Sequence, residues 1–146
     1  MEHFYITRSA EETEHLGQSL ARELAPGAVV ALFGGLGAGK TAFVRGLARG
    51  LRVSGDVCSP TYALVHEYEG LIHFDMYRVE SPEDLASTGW YDYLGRDCVI
   101  AVEWSEHIES ELPEDCIRVH ISPGNTENER KIAILCSPLE STPPPP

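Results

Sequence analysis

The spacing of apolar residues changes repeatedly along the chain, and each change marks an element. Phe4 to Thr7 is a short β-prone stretch. Ser9 reads as a helix cap, with Glu12 three residues later completing a capping box. Leu16, Leu20 and Leu24 follow at helical spacing until Pro26-Gly27 ends the segment. Ala28 to Phe33 is six apolar residues without alternation, the pattern of a strand buried on both faces of a parallel sheet. Helical periodicity returns over Ala42 to Leu51. The middle is β-rich: Tyr62 to Tyr68 and Leu71 to Tyr77 predict a hairpin around Glu69-Gly70. Ser81-Pro82-Glu83-Asp84-Leu85 carries a cap, a first-turn proline and first-turn acids. Cys98 to Val102, ending at Glu103, is a second buried-type strand, and Cys116 to Ile121 and Lys131 to Cys136 are two more. The order predicts an α/β fold, a three-layer domain with a mostly parallel central sheet. It spans residues 1–136, and the proline-rich residues 137–146 are expected to form a disordered tail.

Between the first buried strand and the following helix lies Gly34-Gly35-Leu36-Gly37-Ala38-Gly39-Lys40-Thr41, which fits G-x-x-x-x-G-K-[ST]. Glycines let the backbone curl so that its N–H groups point at phosphate oxygens, and the helix adds its positive end. Lys40 would reach the β- and γ-phosphates, and Thr41 would place its hydroxyl on Mg²⁺. With this chain's own residue frequencies, on the order of 0.002 matches arise by accident. The pattern therefore predicts a nucleoside triphosphate site and makes the three-layer domain P-loop NTPase-like. A guanine-reading segment of the Asn/Thr-Lys-x-Asp kind is missing, since the later lysine, Lys131, is followed by Ile132 and Ala133. Elimination favours ATP.

Composition narrows the class without naming a substrate. The 146 residues are 42% hydrophobic and 23% charged, ordinary values for a globular domain. Twenty-three acids against 11 bases give a net charge of −12, and Lys40 and Lys131 are the only lysines. Such a surface repels DNA, RNA and anionic membrane at long range. Cysteines 58, 98, 116 and 136 have no C-x-x-C spacing, so free thiols are expected rather than zinc or a disulfide framework. No apolar run reaches membrane-spanning length, and Met1-Glu2-His3-Phe4 lacks signal-peptide character, which points to the cytoplasm.

A metal–triphosphate site needs a carboxylate at a neighbouring strand end, and two are available: Asp75 after Leu71 to Phe74, and Glu103 after Val102. His73, beside Asp75, reads as a packed or surface histidine, with a catalytic base as the other reading. Ser59-Pro60-Thr61-Tyr62 reads as a turn entering a strand, with a phosphate-sensing switch hydroxyl at Thr61 as the alternative. Arg45, Arg49 and Arg52 fall on one helical face, either solvated or docking an acidic partner or tRNA. Glu103 to Asp115 holds six acids and no Lys or Arg, and reads as a solvated acidic surface.

These segments together resemble the bacterial ATPase family TsaE, also called YjeE, of tRNA threonylcarbamoyladenosine biosynthesis. The resemblance covers roughly residues 5 to 135. It rests on Leu36 to Thr41, Phe43-Val44-Arg45-Gly46-Leu47, Ser59-Pro60-Thr61-Tyr62, His73-Phe74-Asp75-Met76-Tyr77-Arg78 and Val102-Glu103-Trp104. It implies an Mg²⁺-dependent ATPase, weak alone, that acts on the TsaD–TsaB complex and resets it between cycles of tRNA modification. Contact with tRNA would then be indirect. It further implies that Gly34, Gly37, Ala38, Gly39, Lys40, Thr41 and Ala42 surround the phosphates. Thr41 and Glu103 would bind Mg²⁺, and Asp75 would position or activate the attacking water. Thr61 would sit in a switch-like loop, Trp104 near the nucleotide, and Arg130 near the base or ribose. The family usually has aspartate where this chain has Gly35, which touches a polar contact across the loop rather than the cradle itself. A small-molecule kinase built on the same loop is the alternative function.

Overall fold

The computed structural model describes residues 2–35, 39–53 and 65–136. Strand β1 (Glu2–Thr7) leads into α1 (Ala10–Ala21), then β2 (Val29–Phe33) and α2 (Lys40–Gly50). Strands β3 (Val65–Tyr68) and β4 (Leu71–Asp75) form the expected hairpin, followed by the short helices α3 (Pro82–Ser87) and α4 (Trp90–Tyr93). Strand β5 (Val99–Glu103), a 3-10 segment (Ser105–Glu111), β6 (Ile117–Pro123) and β7 (Arg130–Leu135) complete the described chain. The sheet order is β1-β7-β6-β2-β5-β4-β3. The four central strands, β6, β2, β5 and β4, are mutually parallel, and antiparallel pairs flank them on both sides. Among the described residues no helix is long and apolar enough to cross a membrane.

Strand β2 is buried along its whole length, as its unbroken apolar run requires. Val30 and Leu32 point to the α1–α2 layer with Phe43, Val44 and Leu47. Val29, Ala31 and Phe33 point to the opposite layer with Phe74, Leu85 and Trp90. Full burial of a side chain such as Leu32 or Phe43 is worth about 1.5–3 kcal/mol each. Of the described cysteines, Cys116 is buried, and Cys98 and Cys136 are half-buried.

The caps behave as their residue types dictate. Ser9 Oγ accepts from the Glu12 N–H at 3.1 Å, and Glu12 Oε1 accepts from the Arg8 N–H at 2.8 Å. The glutamate thus reaches one residue further back than a standard capping box. Ser81 and Asp84 repeat the device at α3, with Asp84 accepting from the Glu80 N–H.

Three boundaries differ from the apolar pattern. Helix α1 stops at Ala21, so Leu24 packs against the core from the following turn. Strand β4 stops at Asp75 rather than Tyr77, because the Asp75 carboxylate accepts from the Tyr77 N–H and turns the backbone. Helix α2 stops at Gly50, and Arg52 lies beyond the cap at φ +60°. The supposed three-arginine face is therefore two residues on the helix, and Arg49 lies 3.8 Å from Glu14 of α1.

Glycines let α1 and α2 approach backbone to backbone. A Cβ at Gly46 would stand 1.9 Å from the Glu14 carbonyl oxygen, and one at Gly17 would stand 2.3 Å from the Phe43 carbonyl oxygen. No side chain fits at either distance. The close seam fixes where α2 begins, and α2 begins with Lys40 and Thr41.

Candidate functional site

The site lies at the carboxyl ends of the parallel strands, where β2 runs through the glycine loop into α2. Gly39 caps α2 at φ +104°, a conformation that favours glycine and starts the helix directly at Lys40. Leu36, Gly37 and Ala38 lie outside the described residues, as do Ser59, Pro60, Thr61 and Tyr62.

Lys40 is 5% exposed. Its Nζ donates to the Gly34 carbonyl at 2.6 Å and stands 3.5 Å from the centroid of the Trp104 ring. Burial lowers its pKa below the ordinary 10.5, opposed by the charges of Glu103, Glu106 and Asp75. A cation stripped of water and facing one carbonyl and an indole has capacity left for an anion.

Asp75 and Glu103 are direct neighbours in the parallel register of β4 and β5. Both strand ends hold because Met76 donates its N–H to the Glu103 carbonyl. The Glu103 side chain is buried, and Thr41 Oγ1 lies 3.4 and 3.5 Å from its two carboxylate oxygens. Glu103 Oε2 accepts from His73 Nε2 at 2.5 Å, leaving His73 Nδ1 buried without a partner among the described residues. His73 shares a face with Asp75 two positions on, so it sits behind the site as a support for Glu103. The packed-histidine reading is correct about burial but missed this carboxylate. Burial raises the Asp75 pKa above 3.8, assisted by the charge of Glu103 and opposed by the hydrogen bond from Tyr77.

Trp104 follows Glu103 at φ +60°, a conformation that costs a non-glycine residue of order 1 kcal/mol. The turn is held from both sides: Ser105 Oγ donates to the Val102 carbonyl, and the His107 N–H donates to the Trp104 carbonyl. The strained turn lays the indole on Lys40. Tyr77 lies tilted beside it at 4.8 Å between centroids and His107 at 5.7 Å, with His107 Nδ1 donating to the Met76 carbonyl. Glu106 accepts from the Gly34 N–H at 3.2 Å, holding the start of the loop.

The acidic stretch after β5 is thus divided: Glu103 and Glu106 face the site, while Glu111 accepts from the Tyr91 hydroxyl. Sequence reasoning placed Glu106 in a solvated acidic surface and Tyr77 at the end of a strand, and gave His107 no role. The signal available was the proximity of Glu106 and His107 to Val102-Glu103-Trp104. Arg130 begins β7 at the loop end of the sheet, and its guanidinium donates to the carbonyls of Glu127 and Glu129. At Gly35 a Cβ meets nothing within 4 Å. Among the described residues no three His, Cys, Asp or Glu side chains converge on a metal position.

The parallel core, the glycine loop opening α2 and the strand-end carboxylates define a P-loop NTPase-like α/β protein. Residues 7–132 match the family model of the threonylcarbamoyl adenosine biosynthesis protein TsaE. The chain is 40% identical over 128 residues to a tRNA threonylcarbamoyladenosine biosynthesis protein TsaE of Treponema pallidum, covering 84% of this chain and 95% of that one. A Bacillus subtilis protein of the same description is 38% identical over 131 residues, covering 86% and 80%. The crystal structure of Bacillus subtilis YdiB superposes with a TM-score of 0.78 at 30% identity, covering 96% of this chain and 88% of that one. The chain belongs to the TsaE family of tRNA threonylcarbamoyladenosine biosynthesis.

Proposed function

We propose that this chain is an Mg²⁺-dependent ATPase subunit that acts on a TsaD–TsaB-type complex and supports its turnover, meeting tRNA only through that complex. The observation that carries the reading is the convergence of Lys40 and Thr41, at the start of α2, on Asp75 and Glu103, at the ends of β4 and β5.

The donor set fits a small hard cation: a threonine hydroxyl beside a buried carboxylate, both oxygen. Two protein ligands are few, which suits Mg²⁺, since it keeps waters and takes the remaining oxygens from substrate phosphates. Thr41 and Glu103 would hold it, and it would supply neutralisation of phosphate charge. His73 holds Glu103 Oε2, so Oε1 remains directed at Thr41. Lys40 exchanges its contact with the Gly34 carbonyl for phosphate oxygens, which compensates its burial. Trp104 then faces the nucleotide from across the lysine. Hydrolysis forms a bond from a water oxygen to the γ-phosphorus and breaks the bond to the bridging oxygen, and the water's proton passes to Asp75. A carboxyl raised by burial is a better acceptor near neutral pH than an ordinary aspartate.

Calorimetric titration with ATP and Mg²⁺, followed by phosphate release with and without the partner complex, tests the reading. Binding and stimulated phosphate release are expected. Phosphorylation of a metabolite in place of phosphate release would overturn it in favour of a kinase.

A further inference from the structure

At the margin of the sheet remote from β3, strand β1 has no further strand beside it among the described residues. Exposed edges are usually short or blunted by lysine, proline or a bulge. This one pairs with β7 without interruption from Glu2 to Thr7 and contains neither lysine nor proline. It also exposes large apolar side chains: Phe4 is 72% exposed, Ile6 52% and Tyr5 40%. Phe4 and Ile6 share one face of the sheet, where they line a groove of about 620 Å³ with His120, Ser122, Lys131 and Ala133. The opposite face of the same strands carries Ile132 and Ile134 under the α1–α2 layer.

We infer that β1 is a self-association edge, pairing antiparallel with β1 of a second copy about a two-fold axis at Tyr5. Two-fold strand pairing that keeps each face continuous requires partners whose numbers sum to an even value. The sum of ten places Tyr5 against its equivalent and Phe4 against Ile6 of the other copy, twice. These aromatic–β-branched pairs lie on the open groove face and extend it across the axis. The same register sets Glu2 against Arg8 at both ends. Both side chains are exposed, and neither forms an ion pair within the chain among the described residues. The Arg8 N–H is fixed by Glu12, so the backbone bearing the guanidinium is anchored where the strand ends. Charge complementarity therefore selects a second copy of this chain over an unrelated extended peptide. A net charge of −12 opposes association of two copies, so the pairing is read at physiological salt, where screening acts within about 8 Å.

Sedimentation of the full chain over about two decades of concentration tests the inference. A monomer–dimer equilibrium is expected. Ile6→Lys should weaken it at least about tenfold, because a charged edge blocks strand addition. Glu2→Arg and Arg8→Glu should each weaken it about tenfold, and the double exchange should restore it to within about threefold. Thermal melting confirms that each variant is folded, and the charge exchanges remain informative if Ile6→Lys is not. A monomer at every concentration overturns the inference. So does a dimer indifferent to Ile6→Lys, or a double exchange no better than its single members. Protection of the β1 amides from hydrogen exchange only when a different protein is added would assign the edge to that partner, and overturn it equally.

Discussion

On one face of the sheet α1 and α2 meet backbone to backbone, at distances that exclude even a methyl group at Gly46. On the other face the cover is α3, α4 and a 3-10 segment, none longer than seven residues, joined by turns that include Trp104 at φ +60°. The first face can shift little without steric clash, and it carries Lys40 and Thr41, the proposed phosphate and metal ligands. The turns entering the second cover follow directly on Asp75 and Glu103, and supply Trp104, Glu106 and His107. Cradle and chemistry are thus held by structures of different stiffness. Under the proposed function, a site that grips phosphate and also responds to a partner complex has reason to be built this way.

Breaking each side separately tests that contrast. The largest effect is expected from Lys40→Ala, which removes the buried ammonium and should weaken ATP binding about a hundredfold or more in calorimetry. The fold should persist, because Glu103 keeps its hydrogen bond from His73 when the ammonium is removed. Gly46→Ala comes next, pressing a methyl into the Glu14 carbonyl and lowering stability by about 2–4 kcal/mol in urea unfolding. An unchanged midpoint would show that the seam gives way, and the contrast in stiffness would fall. Asp75→Asn keeps the acceptor for the Tyr77 N–H and should leave ATP affinity within about threefold, while phosphate release drops about a hundredfold.

The same variant has a smaller effect on stability, with a defined pH dependence. Asp75 has its folded pKa raised by burial above 3.8, so its favourable contribution is complete below that value and is lost as pH rises through the raised one. Asp75→Asn should therefore unfold at higher urea than the parent at neutral pH, with the advantage shrinking as pH falls toward 3.8. The smallest effect belongs to Gly35→Asp, which enters open space and should shift stability by no more than about 0.5 kcal/mol.

Much of the fold was legible because strong local signals carried it. Ala28 to Phe33 and Cys98 to Val102 were apolar without alternation, and both became central parallel strands. Ser9 and Ser81 announced their helices through caps. The glycine seam was not legible, since a glycine in a helix looks the same whether it faces solvent or another backbone. Nor was α4, whose four residues rest on tertiary contacts of Trp90 with Phe74. The grouping of Lys40, Thr41, Asp75 and Glu103 was legible because the proposed phosphate and metal chemistry restricts residue type and strand-end position. Glu106 and His73 escaped because their roles depend on a register and a turn that no local pattern encodes.

The most direct test of the account is a reconstituted tRNA modification with purified TsaD- and TsaB-type proteins, followed over many cycles with this chain or its Asp75→Asn variant. The account predicts repeated cycles with the parent and arrest after about one cycle with the variant, although both bind ATP. Sustained cycling with a variant shown to release no phosphate would contradict it.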